Sequence, residues 1–226
     1  MASRLSAAIT VAGVLAMAGA ADGFVFWSQP AGAGPFFTYS GGGSDNGHFG
    51  NPTLVGNQFL FFPQNFAATS SNGVAAGIND RLEVRIVANA GHRITQILVD
   101  EFGDWAITGV GSVQAAGTMF LTDNVNIRVP TTLPTSLVMS PTMPISSPPS
   151  GVWEGHANRN LLVLPPDWTD ITLILTNTLQ ATSQQGSTSL IRKTVVGGPA
   201  LIITIVPAPG ALALLGLAGL ALRRRR

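Results

Sequence analysis

Residues 81–88 read Arg-Leu-Glu-Val-Arg-Ile-Val-Ala, with Leu82, Val84 and Ile86 on one parity and Arg81, Glu83 and Arg85 on the other. A period of two is the mark of a half-buried β-strand, because successive side chains leave opposite faces of a sheet. The pattern returns between Asp170 and Leu179, where Ile171, Leu173 and Leu175 oppose Thr172, Ile174 and Thr176, and again around Ile94 to Val99. Gly91, Gly103, Gly109, Gly111 and Gly117 punctuate these runs as turns and breaks do. About ten to twelve such runs, with no helical stripe between the two ends of the chain, predict a mainly β fold. The expected architecture is a two-sheet β-sandwich or jelly-roll-like ectodomain, framed by an N-terminal signal helix and a short C-terminal apolar helix.

Two stretches need a more particular reading. In Asn57 to Phe66, Phe59 and Phe61 share one parity while Leu60 and Phe62 share the other, which predicts a strand buried on both faces. Between Val129 and Trp153 stand six prolines. This stretch is expected to be a long irregular loop or sheet edge inside one domain, with a linker between two small domains as the alternative.

Composition removes several classes of function. The chain has no cysteine, which excludes disulfides, thiolate metal sites and a cysteine nucleophile. From Phe24 to Ile205 seven basic residues face ten acidic ones, a net of −3, so a nucleic-acid partner is disfavoured. His48, His92 and His156 are isolated, with no H-E-x-x-H spacing and no G-x-S-x-G elbow. No catalytic residue is assigned and an enzyme is not expected.

The ends carry the strongest signals. Arg4, the apolar stretch Ala7 to Ala18 and the small residues Ala18-Gly19-Ala20 form the three zones of a secretory signal peptide over residues 1–20, cut by signal peptidase. The β ectodomain then occupies residues 21–205 and a sorting tail 206–226. In that tail, Ala211 to Leu222 would make a helix of about 18 Å, against about 30 Å of bilayer hydrocarbon. The β-branched run Leu201 to Val206 is read as a last strand, and Pro207 and Pro209 keep it from joining the helix. Arg223, Arg224, Arg225 and Arg226 act as a stop-transfer signal, holding the C-terminus in the cytoplasm while the rest faces outward. The expected route is export with transient anchoring in the inner membrane.

A Pro-x-Pro, a short Ala/Leu/Gly helix and a terminal arginine cluster, in that order, resemble the PEP-CTERM sorting signal of exopolysaccharide-producing bacteria. The resemblance implies recognition by an exosortase-like membrane enzyme and processing within Val206, Pro207, Ala208, Pro209 and Gly210. Ala208 stands where that family carries glutamate. The block from Asn79 to Trp105 also resembles a segment of PEP-CTERM ectodomains, at Ala90, Gly91, Ile94, Ile97, Glu101, Gly103, Asp104 and Trp105. Together they imply an extracellular β-sandwich on the cell surface or in the matrix, with exopolysaccharide as the neighbouring partner. On this reading the protein is a structural or adhesive component of the envelope; the alternative is a secreted carbohydrate-binding or carbohydrate-active module.

Two acidic constellations are weak candidates for calcium, and no other cofactor is implied. Asp45 lies in the glycine-dense run from Gly41 to Pro52, where carboxylate and carbonyl oxygens could meet a hard cation. Asp100, Glu101 and Asp104 form a local cluster, although alternation sets Asp100 and Glu101 on opposite faces unless the strand bends at Gly103. A surface loop and a solvated turn are the plainer readings. Ten aromatics, among them Trp27, Tyr39, Trp105, Trp153 and Trp168, could include a platform for sugar rings, though most are expected in the core.

Overall fold

A computed structural model describes residues 23–125, 131–146, 149–162 and 168–209. The signal peptide, the C-terminal apolar helix, Gly210 and Arg223 to Arg226 lie outside the described residues. Among those described, the regular structure is all strand, arranged as two antiparallel sheets.

In the first sheet the order is β1 (Val25–Phe26), β3 (Phe37–Ser44), β7 (Ala76–Ala88), β13 (Asp170–Ser183), β9 (Gly111–Asp123) and β10 (Thr132–Ser136), with β2 (Gly32–Ala33) also paired to β3. The second runs β11 (Val138–Ser140), β12 (Ser150–Asn160), β8 (His92–Thr108), β15 (Leu201–Pro209), β5 (Gln58–Phe61) and β4 (Thr53–Val55). Past the start of β15, where Leu201 lies opposite Glu101, residues Asp104 to Thr108 of β8 pair instead with β14 (Thr188–Arg192), which carries β6 (Ala67–Ser71) on its other side.

The period-two pattern decides which faces meet. Leu82, Val84 and Ile86 of β7 are fully buried and sit opposite Leu175, Leu173 and Ile171 of β13, while Arg81, Glu83 and Arg85 point outward. Ile97 and Val99 of β8 and Leu201, Ile203 and Ile205 of β15 supply the facing layer, and all of these belong to one continuous core. Two sheets enclosing a single core is the arrangement of a β-sandwich.

One local expectation changes. β5 is buried on one face only: Phe59 and Phe61 are inside, Leu60 is half-buried and Phe62 is exposed, because β5 lies one strand from the sheet edge and has no layer outside it. The proline-rich stretch holds two strands, β10 and β11, at the edges of opposite sheets. Pro134 is tolerated in β10 because an edge strand has one side with no ladder to complete. The strands on either side of that stretch interleave, β12 lying between β11 and β8 and β13 between β7 and β9.

Candidate functional site

The processing motif continues the last strand. Leu201 to Thr204 pair with β5 on one side and β8 on the other, Ile205 N still donates to the Asn57 carbonyl at 2.9 Å, and from Val206 onward the ladder is with β8 alone. A register shift between Val206 and Pro207 then brings Pro207, Ala208 and Pro209 opposite Ile94, Arg93 and His92. The prolines thus occur only where β15 has become an edge, so their missing N–H groups can face the side that β5 has left. Thr95 Oγ1 donates to the Val206 carbonyl at 2.9 Å, securing the strand just before the shift. Val206, Pro207 and Ala208 are half-buried.

The acidic cluster read from the sequence is divided among three partners. β8 continues through Gly103 to Thr108, so no bend gathers the carboxylates. Asp100 faces outward and meets His156 of β12 across the ladder, at 2.8 Å to Nδ1, while Glu154 approaches Nε2 at 3.1 Å. The bond to Asp100, ahead of the opposing desolvation, raises the His156 pKa above its ordinary value. Asp104 makes a bidentate pair with Arg192 of β14, at 2.7 and 3.0 Å. Glu101 points inward, fully buried. Among the described residues no group of three metal-ligating side chains converges.

Asp45 pairs with Arg81 at 3.5 Å, on the rim of a polar cleft of about 230 Å3. The glycine-dense loop around it is organised by a residue that the sequence did not single out. Asp80, buried on β7, accepts bonds from Ser44 Oγ (2.8 Å), Asn46 N (2.9 Å), His48 N (2.8 Å) and its neighbour's amide, Arg81 N (2.8 Å). A carboxylate accepting several N–H and O–H bonds fastens such a loop more strongly than its glycines would suggest.

A second unforeseen group lies in the core. Lys193, the sole lysine of the chain, follows β14 and is 1% exposed; its Nζ is 2.5 Å from Glu101 Oε2. The contact is a close charge approach rather than an aligned hydrogen bond. Phe66 and Trp153 rings lie 5.4 Å from the same nitrogen and Phe49 lies 5.8 Å away, a cation–π setting. Asn177 of β13, 2% exposed, donates from Nδ2 to Glu101 Oε1 at 2.6 Å. One carboxylate therefore joins side chains from both sheets. Desolvation pushes the Lys193 pKa below the usual lysine value, the attraction of Glu101 opposing it.

All four tryptophans, Trp27, Trp105, Trp153 and Trp168, are 5% exposed or less, so none offers a face to a sugar. A cleft of about 370 Å3 instead runs from Thr118, Thr176 and Thr178 of the first sheet to Ser136, Leu137 and Met139, with no ionisable side chain in its lining. Compared with known protein families and with curated proteins, the chain matches none.

Proposed function

We propose that this chain is an exported component of the cell envelope or extracellular matrix, structural or adhesive in role, retained and processed through its PEP-CTERM-like tail. The observation that carries the reading is the way the two-sheet unit ends. Its last core side chains are Leu201, Ile203 and Ile205, and the Pro-Ala-Pro motif follows within the same strand, after β5 has ended. A cut between Val206 and Gly210 would remove only an edge-like strand end and leave the core intact. A processing enzyme would have to peel Pro207 to Pro209 from β8, and the register shift before Pro207 is where a ladder yields most readily.

The burial of all four tryptophans favours this role over a carbohydrate-binding module that stacks sugars on indole faces. Mass spectrometry of the mature chain from its native host tests the sorting proposal directly. The expected C-terminus falls between Thr204 and Gly210, in material released with the polysaccharide; an intact Arg226 in the surface fraction would sink the processing claim.

A further inference from the structure

The core holds three reactive side chains that the export reading does not use. Lys193, Glu101 and Asn177 are each 2% exposed or less, and they are drawn from three segments and both sheets. A buried lysine is among the rarest features of a protein interior, and a lone ion pair is a poor reason to keep one, since an apolar pair of similar volume often serves stability as well. The third member changes the chemistry available. The amide of Asn177 touches one oxygen of Glu101 while the amine of Lys193 touches the other.

We propose that Lys193 and Asn177 join through an intramolecular isopeptide bond between Nζ and Cγ, with Glu101 carrying the protons and ammonia leaving. The reaction starts from the neutral pair, a free amine beside a protonated carboxyl. Burial favours this form because it removes two charges from a medium that solvates neither, and the lowered lysine pKa follows from the same cause. The Nζ lone pair attacks Cγ, and the electrons of the carbonyl bond move to Oδ1. Glu101 takes a proton from Nζ on one oxygen and delivers a proton to Nδ2 from the other. The Cγ–Nδ2 bond then breaks, the carbonyl re-forms, and Glu101 is returned unchanged. Amine and carboxamide become a secondary amide plus ammonia, with no oxidant, metal or cofactor required.

Two details of packing suit the step. Asn177 Oδ1 is buried without a hydrogen-bond partner among the described residues. That oxygen has no bond to give up as the carbonyl electrons move onto it, and Nδ2 already faces, at 2.6 Å, the Glu101 oxygen that delivers its proton. Space has also been left around both reactants. A Cβ at Gly117, paired with Asn177 across the ladder, would lie 2.8 Å from Nδ2, and one at Gly103 would come within 2.5 Å of the Trp153 indole that covers Lys193. A side chain at Gly117 would displace the amide that has to react, and one at Gly103 would meet the Arg192 carbonyl and push on the indole over Lys193. The aromatic wall of Phe49, Phe66 and Trp153 keeps water from the new bond.

The product ties the central strand of the first sheet, β13, to the segment that follows β14 in the second. A chain without cysteine gains in this way the inter-sheet cross-link that a disulfide would otherwise supply. The inference is independent of how the chain is sorted, so its failure would leave the export proposal untouched.

Tryptic mapping of the full chain, denatured after folding, gives the test. Trypsin does not cleave after an acylated lysine, so residues 160–192 are expected joined to a peptide that begins at Lys193, the pair lighter than the sum of its parts by one ammonia. Glu101→Gln and Lys193→Met should both abolish the joined peptide, and ammonia release should accompany folding of the unaltered chain only. Recovery of residues 160–192 at full mass from the unaltered, folded protein, with cleavage after Lys193, overturns the proposal whether or not either variant folds. A joined peptide that persists in Glu101→Gln would overturn the role given to Glu101.

Discussion

His156 stands between two carboxylates on the outward face of the second sheet, with Asp100 on one ring nitrogen and Glu154 on the other. Its raised pKa means that the protonated ring is bound more favourably in the folded chain than in the unfolded one. The contribution is therefore complete below the ordinary histidine value, about 6.5, and is lost as pH rises through the higher folded value. Asp170 behaves in the opposite sense. Arg85 holds its pKa below the usual carboxylate range, so its contribution is present at neutral pH and is lost as acid protonates it. Proton NMR titration of His156 should give a midpoint above 6.5, and Asp100→Asn should return it toward that value; an unaltered midpoint in the variant would remove Asp100 as the cause. At this scale the alternation of β8 did foretell that Asp100 and Glu101 part company. The alternation of β13, carried on past Leu175, puts Asn177 on the core parity before Leu179, where a polar residue is out of keeping; that signal stood in the sequence and was passed over. What alternation cannot supply is the partner. Lys193 lies beyond the end of β14, in no periodic run, and only the folded arrangement brings it to Glu101.

Among the elements, β15 joins the architecture to the proposed processing. It lies between β8 and β5 and contributes Leu201, Ile203 and Ile205 to the core, each 1% exposed or less. Burying such a side chain is worth about 1.5–3 kcal/mol, so losing all three removes an amount comparable to the whole stability of a domain, about 5–15 kcal/mol. A chain ending at Val206 should unfold at nearly the denaturant midpoint of one ending at Pro209, since only a one-sided ladder is lost. A chain ending at Ala200 should not give a cooperative transition. Equal midpoints for all three would show that β15 contributes little to the fold. The long strands β7, β8 and β13 are readable because one face of each is apolar over many residues. β1, β2, β4 and β11 have two or three residues each, too few for any period, and they exist because a longer neighbour presents an open edge. The same cause accounts for β10, whose Pro134 suits it to a sheet edge and whose ladder is supplied by β9.

For the molecule as a whole, charge separates the tail from the folded unit. The complete chain has a formal net charge of +1 and an isoelectric point near 8.4, but five of its twelve basic residues, Arg4 and Arg223 to Arg226, fall in the segments proposed to be removed. What remains from Ala21 to Val206 has seven basic residues against eleven acidic ones, a net of −4. Its ionic surface is therefore that of an acidic protein, suited to staying dissolved beside other polyanions and poorly suited to binding them by charge. Any association with an acidic polysaccharide would have to rest on hydroxyl and amide contacts such as those around Thr118, Thr176 and Thr178, and so should weaken little as salt rises. Isoelectric focusing of protein from the native host measures this directly. Material in the matrix should focus well below pH 7, whereas protein held at the inner membrane, whose four terminal arginines bring it to eleven basic residues against eleven acidic ones, should focus higher, near neutrality. A single near-neutral species in both fractions would mean that the tail stays on, and the charge argument for an acidic mature surface would fall with it.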